Sequence, residues 1–95
     1  MQASVPSRLR DLQQAAAALG YSEARTLRLL IEAEGLRQDE LARWMLRHQD
    51  VPYTSQESLE STISRVLNER RDPPRGFLAA LEDAVFALCD EHVSL

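Results

Sequence analysis

Apolar residues recur at helical spacing in five separate stretches of the chain, and no stretch shows the strict alternation of a half-buried strand. Leu9, Leu12, Ala16 and Leu19 share one face of a first helix, which Ser7 or a neighbour can cap and Gly20 is placed to end. Ser22 can cap a second helix running from Glu23 to about Glu34, with Ala24, Leu27, Leu30 and Ile31 inward and Gly35 as its stop. A third begins at Gln38 and turns Leu41, Ala42, Met45 and Leu46 inward, with Asp39 and Glu40 in the first turn, where the helix dipole favours acids. It is predicted to end near His48 or Gln49, because Pro52 cannot continue a helix and pushes Val51 into an extended conformation. Thr54 and Glu57 have the spacing of a capping box, so a fourth helix is expected from about Ser55 to about Arg70. Asp72, Pro73 and Pro74 then stop it and start a fifth, in which Phe77, Leu78, Leu81, Val85 and Leu88 repeat at helical spacing to about Glu91. The pattern predicts an all-α, compact five-helix domain with short connections.

The stretch from Leu59 to Pro74 is the most informative for function. Leu59, Ile63, Val66 and Leu67 form one apolar stripe, whereas Glu60, Ser61, Ser64, Arg65 and Asn68 lie on the polar side, followed by Arg70 and Arg71 at the exit. A helix with one side to bury and one rich in hydrogen-bonding groups, in a small all-helical chain, has the form that enters a DNA major groove.

Composition narrows the alternatives. At 95 residues and 44% hydrophobic, the chain is long enough for one folded domain and too short for two. The net charge of −4 argues against coating any nucleic acid by bulk attraction. All 11 basic residues are arginine, and Arg65, Arg70, Arg71 and Arg75 cluster, whereas Glu82, Asp83, Asp90 and Glu91 make the C-terminal segment acidic. A GC-rich coding genome is the plain explanation for the missing lysine. One cysteine excludes an internal disulfide, and Cys89, four residues after Val85, reads as a core thiol. His48 and His92 are too far apart in sequence for a zinc spacing, and no phosphate loop or nucleophile motif stands out, so neither a metal, a cofactor nor an enzymatic role is expected. Neither a membrane-spanning run nor a signal peptide is present, and the expected location is the cytoplasm.

Two blocks in order, LRLLIEAEGLRQDELA and ISRVLNERRDPPRGFLAALEDAV, give residues 24–88 a resemblance to the Cro and C1 repressor type of helix-turn-helix domain, the xenobiotic response element family. Gly35, Gln38, Leu41 and Ala42 match the family's first-helix exit and second helix; Ile63, Ser64 and Arg65 match its recognition helix. Asn68 to Arg71 match the exit loop, Pro73 the proline after it, and Phe77, Leu78, Leu81 and Ala84 the helix packed behind. The resemblance implies a lambda-repressor-like fold, with an N-terminal helix over 1–21, the helix-turn-helix core over 22–91 and a tail over 92–95. Two departures accompany it. Ile63 follows Ala42 by 21 residues, where the family's tight turn places it about ten on, so the turn should be enlarged. The frequent acid and glycine of the recognition-helix exit are Leu67 and Glu69 here.

Carried over by position, the resemblance places Glu60, Ser61, Thr62 and Arg65 against base edges or nearby phosphates, with Ser64 and Asn68 beside them. Arginine can bond guanine bidentately, hydroxyls can donate or accept, and glutamate can accept from cytosine. Glu57 and Glu60 would sharpen selectivity or weaken binding. Gln38 would hold a phosphate from a helix N-terminus, and Arg70, Arg71 and Arg75 would neutralise phosphates beside the groove. The plainer alternative is that these arginines are solvated or paired with Glu69 and Asp72, that the small hydroxyls are ordinary surface residues, and that Gln38 is only a helix-start residue. The implied function is a DNA-binding transcriptional regulator, a repressor acting as a homodimer on a palindromic operator in a phage-like or plasmid setting. The competing class is a protein-interaction module on the same fold, an inhibitor or antitoxin acting through acidic faces. Trp44, Val85, Leu88, Val93 and Leu95 are the candidate dimer contacts, since large apolar side chains anchor interfaces.

Overall fold

The computed structural model describes residues 5–93, with side chains over 9–90. Five helices follow one another: α1 (Val5–Ala18), α2 (Glu23–Ala33), α3 (Gln38–His48), α4 (Gln56–Leu67) and α5 (Phe77–Val93). No strand occurs among the described residues.

Helix ends follow from local chemistry, and several differ from the expected ones. α1 begins at Val5, so Ser7 lies inside its first turn and not at its cap. Gly20, at φ 83°, ends α1 with the hydrogen bonds of a Schellman turn: its N–H donates to the Ala17 carbonyl and that of Tyr21 to Ala16. A Schellman glycine lies two residues beyond the last helical one, so Leu19 falls outside α1 and is 72% exposed instead of facing the core. Ser22 caps α2, its Oγ accepting from the Arg25 N–H at 3.1 Å, and Gly35 closes α2 in the same way as Gly20 closes α1.

α4 starts one residue later than the capping-box reading has it. Ser55, in an extended conformation, is the cap, accepting from the Ser58 N–H at 3.2 Å, and Thr54 lies outside. The helix ends at Leu67 rather than near Arg70. Glu69 takes φ 57°, and the N–H groups of Glu69 and Arg70 donate back to the Val66 and Arg65 carbonyls. Thus a glutamate occupies the left-handed position that glycine fills after α1 and α2. Pro73 and Pro74 precede α5 instead of forming its first turn: the Pro74 carbonyl accepts from the Phe77 N–H, and the helix begins there.

One core joins all five helices. Leu9 from α1, Leu27, Leu30 and Ile31 from α2, Leu41 and Met45 from α3, Leu59, Ile63 and Val66 from α4, and Leu81, Val85 and Leu88 from α5 are buried together. α5 packs against α1, α2 and α3, whereas α4 packs against α2 and α3. The connection between α3 and α4, residues 49–55, is tied down and not loose. Gln49 Nε2 donates to the Ala80 carbonyl at 2.7 Å, Val51 and Tyr53 pack on the core, and the Tyr53 ring meets Phe77 edge-on at 6.3 Å. The molecule is a slab of 42 × 34 × 19 Å, thin enough that each helix presents a face to solvent.

Candidate nucleic-acid interface

The apolar stripe of α4 fixes which of its polar residues point outward. With Leu59, Thr62, Ile63, Val66 and Leu67 buried against α2 and α3, the exposed positions are Glu57, Ser58, Ser61, Arg65 and Asn68. Ser58 to Asn68 span about 15 Å of helix at 1.5 Å per residue, a length that a major groove about 12 Å wide can receive end-on or obliquely.

Thr62 does not belong to this surface. It is 5% exposed, and its hydroxyl donates to the Ser58 carbonyl at 3.0 Å, so neither its position nor its donor is available to a base edge. It is a polar residue on the buried stripe, satisfied within its own helix. Glu60 is half-buried and accepts from the Gln56 amide at 3.2 Å. Ser64 is half-buried, and its carbonyl accepts from the Asn68 Nδ2 at 2.8 Å, leaving Asn68 Oδ1 as the outward acceptor. Ser61 and Arg65 stand fully on the outward side. Ser58 completes that side and was not among the candidates from sequence; the cap at Ser55 is the signal that puts it on the face of Ser61 and Arg65.

Gln38 opens α3 and lines a cleft with Arg28, Leu36, Leu67 and Asn68 at the exit of α4. It therefore adjoins the end of α4 that carries Asn68 and leads into Arg70 and Arg71. The segment after Glu69 contributes Arg70, Arg71 and Arg75, all exposed.

What distinguishes these guanidiniums is the lack of a protein partner. Elsewhere, Arg28 pairs with Glu32 at 3.2 Å, and Arg37 and Arg43 both reach Asp39, at 2.9 and 3.3 Å. Arg10 lies over the Phe86 ring and Arg25 over the Tyr21 ring. Among the described residues the guanidiniums of Arg65, Arg70, Arg71 and Arg75 make no ion pair, hydrogen bond or ring contact, and Arg47 is the other arginine of this kind. Of the plainer alternative, pairing with Glu69 and Asp72 does not occur, since the Glu69 carboxylate instead accepts from the Ser22 hydroxyl across the start of α2, whereas solvation of the four side chains is what their exposure shows.

The candidate dimer contacts separate. Val85 and Leu88 are 0% and 6% exposed within the chain's own core, so they are not surface side chains. Their spacing suited an interface, but it suits the inner stripe of α5 equally. Trp44 is half-buried, with its ring 4.8 Å from that of His48. α5 reaches Val93, whose side chain, like the whole of Leu95, lies outside the described residues. Cys89 is buried, no described group of His, Cys, Asp and Glu side chains is arranged to hold a metal ion, and no described helix is long and apolar enough to cross a membrane.

Compared with known proteins, the chain matches no family model, no curated protein and no solved structure.

Proposed function

We propose that the protein is a sequence-specific DNA-binding regulator, a repressor that occupies a palindromic operator as a homodimer with α4 in the major groove. The observation that carries the reading is the set of four exposed, unpartnered arginines on the last turn of α4 and the segment after it, in a chain whose other guanidiniums are mostly engaged. Unpaired guanidiniums are free to replace the counterions of phosphates, and that exchange supplies much of the affinity of protein for DNA. Arg65, flanked on the outward face by Ser61 and Asn68, is the base-reading residue; Arg70, Arg71 and Arg75 hold the backbone. Gln38 supplies a further phosphate contact from the N-terminus of α3. One α4 offers few base contacts, and two-fold pairing on a palindrome doubles them, with half-sites about 34 Å or a multiple apart.

The deciding experiment is selection from a random duplex library, with the mass of the free and bound protein measured alongside. The expected result is an enriched palindrome bound by two chains, with affinity that drops steeply as salt is raised. Glu57 on the outward face and the net charge of −4 are what favour an interaction module that binds protein instead. No enrichment, together with no affinity even at low salt, would decide for that module.

A further inference from the structure

On the slab, α1, α2 and α5 enclose a cleft of about 390 Å³ that the DNA reading does not use. Its apolar lining is Ala17, Leu27, Leu78 and Ala79, and Gln13, Tyr21, Glu23 and Glu82 add polar groups. The volume falls within the range of small-molecule sites, roughly 300–1,000 Å³. Two features of this lining select a ligand. Glu82 is half-buried in the middle of α5, yet among the described residues its carboxylate has neither an ion pair nor a hydrogen bond. A half-buried carboxylate without a partner gains from a cation brought to it. Glu23, exposed and also lining the cleft, is likewise without an ionic partner, although its place in the first turn of α2 also suits the helix dipole. Arg25 lies over the Tyr21 ring at 4.3 Å, and Arg71 lines an adjoining cleft with Glu23 and Leu78; neither pairs with either acid. The Thr26 hydroxyl is already committed to the Ser22 carbonyl at 2.8 Å, so the free polar groups facing the cleft are the two carboxylates, the Gln13 amide and the Tyr21 hydroxyl.

We infer that this cleft is a binding site for a small organic cation with an apolar body, its ammonium held by Glu82 and Glu23 and its hydrocarbon part laid against Ala17, Leu27, Leu78 and Ala79. An anionic ligand of the same shape is rejected by the two carboxylates. The assignment stands apart from DNA binding, and its test uses no DNA.

The probe is 2-phenylethylammonium, titrated into the full chain while backbone amide resonances are followed by NMR, with 2-phenylethanol and 3-phenylpropionate as neutral and anionic controls. The expected result is a saturable shift of the Tyr21, Glu23, Ala79 and Glu82 amides with the ammonium, at least about tenfold weaker binding of the alcohol, and none of the carboxylate. Glu82→Gln is expected to weaken the ammonium about tenfold with the rest of the spectrum unchanged, and Ala79→Leu to abolish binding by filling the cleft. No saturation by about 10 mM, equal binding of the ammonium and the carboxylate, or a Glu82→Gln protein that binds as well as the parent would each overturn the inference.

Discussion

Arg65 and Arg71 look alike in sequence, both exposed and both without a partner, but their positions predict different losses. Arg65 stands on the outward face of α4, so Arg65→Ala is expected to cost about 1–3 kcal/mol on the preferred duplex and much less on a scrambled one. Arg71 lies beyond the helix, and Arg71→Ala should weaken both duplexes alike and lower the salt slope by about one. Anisotropy titrations of the two duplexes at several salt concentrations separate the outcomes. Thr62→Val should leave both affinities unchanged, since the hydroxyl it removes serves the Ser58 carbonyl. Ser22 and Ser55 offer a second paired comparison. Both cap a helix, but the Ser22 hydroxyl also donates to Glu69. Replacing either by alanine removes a cap worth about 1 kcal/mol, and Ser22→Ala should lose roughly 0.5–1 kcal/mol more in urea denaturation.

At the scale of the elements, the interiors of the helices were legible because Leu, Ile, Val and Ala recur at helical spacing against polar neighbours, and Gly20 and Gly35 mark two of the ends. Boundaries were legible only where one residue type has one job. Leu19 continues the spacing of α1 but lies past the end that Gly20 sets, so periodicity alone placed it wrongly. The exit of α4 was hidden for the opposite reason: Glu69 does in left-handed conformation what composition assigns to glycine, and it is held by a serine 47 residues away. Thr62 was misplaced because a threonine on an apolar stripe is polar by composition and buried by geometry. The connection between α3 and α4 had no local signal beyond Pro52, since its anchor is the long-range bond from Gln49 to Ala80. That anchor is tight on one side only, because Gln49 Oε1 is buried with no partner. Gln49→Met should therefore cost under about 1 kcal/mol, whereas Gln49→Glu, which puts charge on that buried oxygen, should destabilise by more than about 2 kcal/mol; thermal unfolding of the two variants tests this.

For the whole molecule, the distribution of charge matters more than its sum. A chain of net charge −4 can still attract phosphate locally, where Arg65, Arg70, Arg71 and Arg75 gather at one end of α4 without ion pairs, even though Arg71 shares a cleft with Glu23. If the four arginines each meet one phosphate, the logarithm of affinity should fall against the logarithm of salt with a slope of about −3.6 for one chain and about −7 for two. A slope near zero would leave those arginines without the role assigned to them. The contact between α1 and α5 has a further consequence, for the order in which the fold is assembled. The stripe of Leu9, Leu12 and Ala16 can lean on α2 as soon as the chain has passed Ala33, but its other support is separated from it by most of the sequence. During synthesis α1 therefore leaves the ribosome with half of its packing surface uncovered. It stays so until α5 follows, and α1 is the element for which a holding chaperone would compete longest.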